Sequence, residues 1–261
     1  MEKFVHKKSL GQNFLKDKKV LINIIDIFKV TSDDLVIEIG PGQGALTKYL
    51  KLYDSKLICY EIDKRVEKYL TKYEDDKTKI IFKDFMEADV LDDIRNIEYD
   101  KLYIIANLPY YITSPIIEKI ISLNLDVSGM AFMVQNEVAN RYSAKCGTKD
   151  YGYMTTLLSY YYNVTKSFVV SRKCFDPVPN VDSAVIKFVK KDKKYSVKNE
   201  KELFKLIKDA FRMKRKNIKN NLSNYELEKV ALVLNKYDLT LQDRAESIPI
   251  ECFVEMANIL F

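Results

Sequence analysis

The residues with the clearest chemistry form one short motif, Asn107-Leu108-Pro109-Tyr110. The side-chain carbonyl of Asn107 and the backbone carbonyl of Leu108 are two acceptors that can hold the exocyclic amino group of a base. Two such acceptors favour a more sp3-like nitrogen with its lone pair aimed at an electrophile, so alignment is enough and no general base is needed. Tyr110 can stack on the face of an unstacked base. The structural alternative is a proline-containing turn with a buried tyrosine.

A glycine-rich loop precedes this motif. The segment Glu38–Gly44 reads EIGPGQG between a predicted strand and a predicted helix, and around Gly40 such a loop lets the backbone approach a ligand closely. Glu61 follows Gly40 by 21 residues, at the end of the next predicted strand. A carboxylate there suits both ribose hydroxyls of a nucleoside cofactor. Asp84, after the third predicted strand, can accept a hydrogen bond from an adenine amino group.

The spacing of this loop helps to distinguish between nucleoside cofactors. It is GxGxG rather than the GxGxxG of dinucleotide-binding proteins, and Glu38 is a poor neighbour for a pyrophosphate group. A carboxylate at Glu38 suits a ligand that carries an ammonium group, as the methionine half of S-adenosylmethionine does. The sequence therefore favours S-adenosylmethionine and disfavours a Rossmann-type oxidoreductase.

Short apolar runs alternate with helical spacing through most of the chain. Strands are predicted at residues 35–39, 57–61, 80–82, 102–106, 129–134, 168–170 and 184–189, and helices at 17–28, 64–73, 116–123 and from 135 to 139. Such alternation is typical of an α/β fold with a mostly parallel sheet and helices on both faces. After residue 190 the pattern is helical, with an amphipathic final helix after Pro249. We therefore predict two domains, residues 1–190 and a small all-helical domain at 191–261.

Basic residues are concentrated near the start of the second predicted domain. Residues 190–219 contain thirteen Lys and Arg against four Asp and Glu, whereas the other residues contain 30 basic against 33 acidic ones. Five of the basic residues recur at helical spacing and are interpreted as one face of a helix: Lys201, Lys205, Lys208, Arg212 and Arg215. This face predicts contact with a polyanion, with a simple solvated surface as the alternative.

The remaining composition excludes several classes of site. The four cysteines lack CxxC spacing and the one histidine is His6, so neither a metal site nor a histidine-based triad is expected. No signal peptide and no membrane-spanning run is predicted. We expect a cytoplasmic monomer without a metal ion.

Segments spread over nearly the whole chain carry a family resemblance. They are SLGQNFL (Ser9–Leu15), EIGPGQGALT (Glu38–Thr47), NLPYYITSPII (Asn107–Ile117), MVQNEVANR (Met133–Arg141), DYGYMTTLLSYY (Asp150–Tyr161), FDPVPNVDSAVI (Phe175–Ile186), FRMKRKNIKNNL (Phe211–Leu222) and RAES (Arg244–Ser247). With these segments the chain resembles the KsgA family of ribosomal RNA adenine dimethyltransferases.

The resemblance implies more than the residues alone. It implies a Rossmann-like class I methyltransferase sheet, S-adenosylmethionine as cofactor, and 16S rRNA in an immature small ribosomal subunit as partner. Two adjacent adenosines in the hairpin loop near the 3′ end would each receive two methyl groups. The implied cofactor contacts are Asn13, Leu15, Gly40, Glu61, Asp84 and Asn107. For Asn13 and Leu15 the resemblance is the only basis, because the residues alone predict a helix cap and a core leucine.

Three alternatives remain to be distinguished. Erm-type methyltransferases share the fold and the site but modify one adenosine of large-subunit RNA, and VDSAV and FRMKRKNIKNNL look more like the KsgA family. A non-catalytic RNA-binding or assembly protein is disfavoured by the intact set Glu61, Asp84 and Asn107; the oxidoreductase is disfavoured as above. The chain departs from the usual pattern of the family at two places. It has FDPVP at residues 175–179 where the family often has a run of prolines, and Lys214-Arg215-Lys216 where the family often has two arginines. Both changes keep the character of the site. Phe175 is interpreted as a buried aromatic, with stacking on the target base as the alternative.

Overall fold

The computed structural model describes residues 13–192 and 195–261. His6 and the first four residues of the motif Ser9–Leu15 lie outside the described residues. Within them the chain divides into two compact units. The first contains the described residues up to Ala139 together with Lys166–Val189, and the second contains Asn140–Thr165 together with Lys190–Phe261. The predicted division at residue 190 thus differs from the structure over 140–165, which joins the second unit.

Nine strands are described. They are β1 (Phe14–Leu15), β2 (Leu35–Ile39), β3 (Lys56–Tyr60), β4 (Thr78–Ile81), β5 (Leu102–Asn107), β6 (Val127–Gln135), β7 (Tyr162–Val170), β8 (Phe175–Asp176) and β9 (Ser183–Lys190). β1 and β8 form an antiparallel pair, and the other seven form a sheet in the order β4-β3-β2-β5-β6-β9-β7. The pairs from β4 to β6 are parallel and β9 is antiparallel to β6. The predicted mostly parallel sheet is confirmed, and the carboxyl ends of β2, β3, β4, β5 and β6 meet at one edge.

Eleven α-helices are described. They are α1 (Lys18–Ile25), α2 (Thr47–Leu50), α3 (Glu67–Leu70), α4 (Val90–Ile94), α5 (Thr113–Ser122), α6 (Asn136–Tyr142), α7 (Tyr153–Tyr161), α8 (Glu200–Ala210), α9 (Ile218–Asn221), α10 (Leu227–Asn235) and α11 (Ile250–Leu260). The helix predicted at 64–73 is α only over α3, with a 3₁₀ turn on each side. Lys64, Lys68 and Lys72 are four residues apart and all exposed, and like charges at this spacing weaken an α-helix.

The core of the first unit lies between the sheet and the early helices. Asp17 caps α1 by accepting a hydrogen bond from the Val20 N–H at 3.1 Å, which satisfies a donor that the helix itself leaves free. The helix then buries Leu21, Ile24 and Ile25 in one apolar cluster with side chains of β2 and β3. Burying each such side chain contributes about 1.5–3 kcal/mol, so this packing fixes the frame that carries the sheet edge.

The second unit has its own apolar core. Helix α8 begins at its cap Asn199, and the core encloses side chains of α8 to α11 together with Tyr160 of α7. Helix α8 ends at Ala210, so Arg212 and Arg215 lie in the irregular segment 211–217 beyond it. The prediction that these arginines continue one helical face is therefore wrong. In the part of the chain that the structure describes, no helix is long and apolar enough to cross a membrane.

Candidate active site

Asn107 is the last residue of β5 and lies at the carboxyl edge of the sheet. Its Nδ2 atom donates to the Asn13 carbonyl at 3.2 Å. This contact sets the orientation of the amide, because the nitrogen faces Asn13 and Oδ1 is left as an acceptor. No described residue donates a hydrogen bond to that oxygen. Asn107 thus presents a fixed carbonyl group that can receive an N–H from a ligand.

The next two residues leave the strand in a tight turn before α5. The Leu108 N–H donates to the Met133 carbonyl at 3.3 Å, and the Pro109 carbonyl accepts from the Ile112 N–H at 3.2 Å. The Leu108 side chain is buried. Its backbone carbonyl receives no hydrogen bond from any residue in the described ranges, so a second acceptor is available next to Asn107.

Two tyrosines follow these acceptors. The Tyr110 hydroxyl lies 2.8 Å from the Oγ atom of Ser183, which is fully buried at the start of β9. Burial raises the pKa of Tyr110, the Ser183 hydrogen bond lowers it, and the charge of Asp182 raises it. Tyr110 therefore stays neutral near pH 7 with its ring held in place. Tyr111, which the sequence analysis did not assign, lines the same cleft and is 61% exposed.

The glycine-rich loop follows β2 at the same edge. Gly40 has φ +69°, donates its N–H to the Tyr60 carbonyl at 2.9 Å, and would have no atom within 4 Å of an added Cβ. Gly42 has φ +57°, and an added Cβ would lie 2.6 Å from the Phe14 ring. A side chain at either position would strain the left-handed backbone, and at Gly42 it would also displace Phe14. The loop thus offers bare backbone to a ligand at Gly40.

Glu61 comes directly after β3 and is buried. Its Oε2 accepts from the Gly42 N–H and its Oε1 from the Asp63 N–H, both at 2.8 Å. Burial raises the pKa of Glu61, and the hydrogen bonds from Asp63 and Gly42 lower it. Each carboxylate oxygen has a further lone pair, so the group can accept two hydroxyls while it remains fixed to the loop.

Asp84 follows β4 in a loop that Lys119 of α5 holds in place. The Asp84 Oδ1 accepts from the Met86 N–H at 2.9 Å. The Lys119 Nζ donates to the carbonyls of Phe85, Met86 and Ala88, the last two at 2.9 and 2.8 Å. Sequence analysis missed Lys119, since a single lysine in a helix carries no signal of a contact made 31 to 34 residues away.

One cleft brings most of the predicted site residues together. Its empty space is about 900 Å3, open solvent included. Eight of the nine predicted site residues line it: Asn13, Gly40, Glu61, Asp84, Asn107, Leu108, Pro109 and Tyr110. Apolar walls at Ile39, Ile62 and Phe85 complete a cleft that fits a nucleoside cofactor: two carboxylates for polar groups, apolar surface for a base, and a bare glycine.

Three residues considered in the sequence analysis lie away from the cleft wall. Leu15 and Phe175 are buried in the apolar cluster and pair with each other in β1 and β8, so neither side chain lines the cleft. Glu38 does not line it either. Its Oε2 accepts from the Thr47 hydroxyl at 2.6 Å, and burial raises its pKa to about 7. The interpretation of Glu38 as the partner of a ligand ammonium group is not supported by this placement.

No group of three or more His, Cys, Asp or Glu side chains within residues 13–192 and 195–261 has an arrangement that could hold a metal ion. The expectation of a reaction without a metal ion stays a prediction. The polar groups of the cleft are hydrogen-bond acceptors, aromatic rings, bare backbone and the side chain of Lys83. Such a set can align an amine but contains no histidine or cysteine nucleophile.

The chain is similar to known proteins over nearly its full length. It matches the family described as Ribosomal RNA adenine dimethylase over residues 3–261. It is 42% identical to Ribosomal RNA small subunit methyltransferase A of Fusobacterium nucleatum, with 98% of each chain covered. A dimethyladenosine transferase structure from Plasmodium falciparum is similar with a TM-score of 0.77 and 27% identity, covering 93% of this chain and 95% of that one. The 23S rRNA methyltransferase ErmE, at TM-score 0.71 and 22% identity, covers 95% of this chain and 99% of its own, and shows the shared fold.

The family match agrees with a cleft whose residues suit a nucleoside cofactor. The family match covers almost every residue, including both motifs that line the cleft. The chain therefore uses S-adenosylmethionine as its cofactor and belongs to the ribosomal RNA adenine dimethylase family.

Proposed function

We propose that this protein dimethylates two adjacent adenosines at N6 in the 3′-terminal hairpin loop of 16S rRNA. The observation that carries the proposal is the pair of open acceptors, Asn107 Oδ1 and the Leu108 carbonyl, on two residues that line the same cleft as Glu61 and Asp84. Family membership and the 42% identical small-subunit methyltransferase support the same reaction.

The two acceptors orient the target amine. N6 of adenine is a poor nucleophile because its lone pair is delocalised into the ring. Hydrogen bonds from its two N–H groups to Asn107 Oδ1 and the Leu108 carbonyl favour a pyramidal nitrogen whose lone pair points away from both acceptors. The Asn13 carbonyl keeps Asn107 in this orientation. Most of the rate enhancement then comes from alignment and fixed dipoles.

Tyr110 and Tyr111 bind the face of the base. Tyr110 is held through its hydroxyl by Ser183, whereas Tyr111 is exposed and can close over an extruded base. Base–aromatic stacking contributes about 1–3 kcal/mol per base, which offsets the cost of taking an adenosine out of its stack. Hairpin loops lower that cost because their bases are already partly unstacked.

The other cleft residues hold the cofactor. When bound, S-adenosylmethionine supplies the methyl group that is transferred. Glu61 binds the two ribose hydroxyls, Asp84 accepts from the adenine amino group, and Gly40 lets the backbone approach closely. Asn13 contributes through its backbone, and we keep Leu15 as a backbone contact of β1, since its side chain lies in the core.

The second unit supplies phosphate contacts for RNA. Arg212, Lys214, Arg215 and Lys216 are all exposed in the segment between α8 and α9. The buried Asn221 fixes this segment: its Nδ2 donates to the carbonyls of Ala210, Met213 and Lys216, and its Oδ1 accepts from the Met213 N–H. A preorganised basic segment binds RNA phosphate with a smaller entropic cost than a loose one.

The proposal also includes the form of the substrate, the oligomeric state, the location and the RNA-binding part of the chain. The substrate is 16S rRNA in an immature small subunit, the enzyme acts as a monomer, and both are in the cytoplasm. Residues 191–261 with their basic segment form the RNA-binding part, together with residues 140–165 of the same unit.

Methyl transfer to purified, unmethylated ribosomal subunits tests this function. Labelled methyl groups should appear in small-subunit RNA as N6,N6-dimethyladenosine at two adjacent positions, identified by mass spectrometry of the digested RNA. Label in large-subunit RNA would instead identify an Erm-type enzyme. Tight binding to subunits without transfer of label would indicate a non-catalytic assembly protein. N6-monomethyladenosine as the only product at saturation would refute two rounds of transfer.

A further inference from the structure

One turn after β4, which we call the 84–88 turn, carries two neighbouring residues of the cofactor cleft, Asp84 and Phe85. The turn is closed by its own backbone, because the Asp84 carbonyl accepts from the Glu87 N–H at 2.9 Å. The Asp84 carboxylate accepts from the Met86 N–H at the start of the same turn. The position of the turn therefore sets the position of the acceptor proposed for the adenine amino group.

Lys119 of α5 binds the other end of the 84–88 turn. Its Nζ donates to the carbonyls of Phe85 at 2.5 Å, Met86 at 2.9 Å and Ala88 at 2.8 Å. An ammonium group has three N–H donors, so Lys119 has an acceptor for each of them on one turn. Its Nζ also lies 5.2 Å from the centroid of the Phe85 ring. One side chain thus fixes both the backbone of the turn and an aromatic ring of the cleft.

The ammonium group is partly buried at this place, which has a cost in hydration. Burial lowers the pKa of Lys119, and the charge of nearby Asp84 raises it. In the described part of the chain no carboxylate forms an ion pair with Lys119, so the three carbonyls compensate for the lost water. A lysine whose donors are all used on one turn indicates that the place of this turn matters.

The catalytic motif is held by other contacts. Asn107 is oriented by the Asn13 carbonyl, and the Leu108 N–H donates to the Met133 carbonyl. None of these contacts includes Lys119. Loss of the Lys119 ammonium group should therefore disturb the base of the cofactor and leave the acceptors of the target amine in place.

We propose that Lys119 is a positioning residue that makes the cleft selective for the adenine amino group of the cofactor by holding the Asp84 carboxylate in place. Without Lys119 three backbone carbonyls would lack their donor, and the 84–88 turn would shift to reach water. Asp84 would then lose its hydrogen bond to the amino group. This inference rests on the proposed function, which assigns Asp84 to that group.

Calorimetric titration with two ligands tests the inference. The first is S-adenosylhomocysteine, and the second is its analogue whose purine lacks the amino group. The parent should bind the first about 10- to 100-fold more tightly, the value of one hydrogen bond to a charged acceptor. Lys119→Met should lose about the same factor with S-adenosylhomocysteine and bind the analogue like the parent. In methyl transfer the KM for S-adenosylmethionine should rise with kcat within about twofold of the parent.

A double-variant cycle separates positioning of Asp84 from general damage. In an Asp84→Ala background, adding Lys119→Met should change the affinity for S-adenosylhomocysteine by less than about twofold, because both changes remove the same hydrogen bond. Losses that multiply in the double variant would show that Lys119 acts on the fold rather than through Asp84, and would overturn the inference.

Control variants complete the experiment. Lys19→Met, which changes an exposed lysine of α1, should match the parent in every assay. Should Lys119→Met fail to fold, Lys119→Gln keeps an N–H donor without the charge and should show an intermediate preference for the amino group. A folded Lys119 variant with the full parental preference would overturn the inference alone. A parent that binds both ligands equally would overturn the assignment of Asp84 in the proposed function, and the inference with it.

Discussion

Removing the Glu61 carboxylate is the most informative single perturbation of the cofactor cleft. In the free protein the group already accepts the Gly42 and Asp63 N–H groups at 2.8 Å, so its position does not depend on the ligand. In the complex it would also accept two ribose hydroxyls. Hydrogen bonds to a charged group contribute about 1.5–3 kcal/mol each, so Glu61→Ala should cost about 3–6 kcal/mol of cofactor binding. That corresponds to a roughly 10²- to 10⁴-fold increase in Kd.

Calorimetric titration with S-adenosylmethionine measures this loss directly. Glu118→Ala, which removes an exposed glutamate of α5, is the matched control and should bind like the parent. RNA affinity should be unchanged in both variants, because the basic segment belongs to the other unit. Should Glu61→Ala fail to fold, Glu61→Gln keeps one acceptor oxygen and should show an intermediate loss. A folded Glu61→Ala protein with parental cofactor affinity would refute the assignment.

The other predictions concern catalysis, RNA binding and stability. Asn107→Ala should lower the single-turnover methylation rate by about 100-fold or more through misalignment, with unchanged RNA affinity; a parental rate would exclude this site. Ser183→Ala should lower kcat about two- to tenfold, since the Tyr110 hydroxyl loses one hydrogen bond. The double variant Arg212→Ala and Arg215→Ala should reduce the slope of log K against log salt by roughly 1.4–1.8, as measured by RNA binding at several salt concentrations. The pKa of Glu38 is raised from 4.5 to about 7, so its contribution to stability is fully present below pH 4.5 and lost as the pH rises to about 7. The free energy of unfolding of Glu38→Gln should therefore be about 3 kcal/mol higher than that of the parent at pH 8 and about equal to it at pH 4.5, as measured by denaturant titration.

Local patterns predicted the buried strands well and the edge of the sheet poorly. The run at 35–39, apolar except for Glu38, matches β2 residue for residue, because a strand covered on both faces needs mostly apolar side chains. Strand β7 was predicted only at 168–170 but begins at Tyr162, since it lies at the end of the sheet and carries exposed polar residues. Helix α7 was missed because its tyrosines and threonines are weak helix formers. Packing against α8 and α11 stabilises it instead.

The site was predictable where its residues follow strand ends, and unpredictable where distant segments meet. Glu61, Asp84 and Asn107 line one cleft because their strands are parallel and end at the same edge. Adjacent residues of a strand point to opposite sides, which places Phe14 in the cleft wall and Leu15 in the core. No spacing rule predicts contacts such as Asn107 with Asn13, which are 94 residues apart.

The proposed roles of the two acceptors also limit the reaction to two methyl groups. The groups proposed to bind the target nitrogen, Asn107 Oδ1 and the Leu108 carbonyl, accept hydrogen bonds and donate none. An unmethylated amine can satisfy both, and a monomethylated amine can still satisfy one after it rotates. A dimethylated amine has no N–H left, so its binding would leave two acceptors desolvated without a donor, at a cost of about 1–3 kcal/mol each. The proposed site therefore disfavours its own final product, and we expect dimethyladenosine to leave without a further signal.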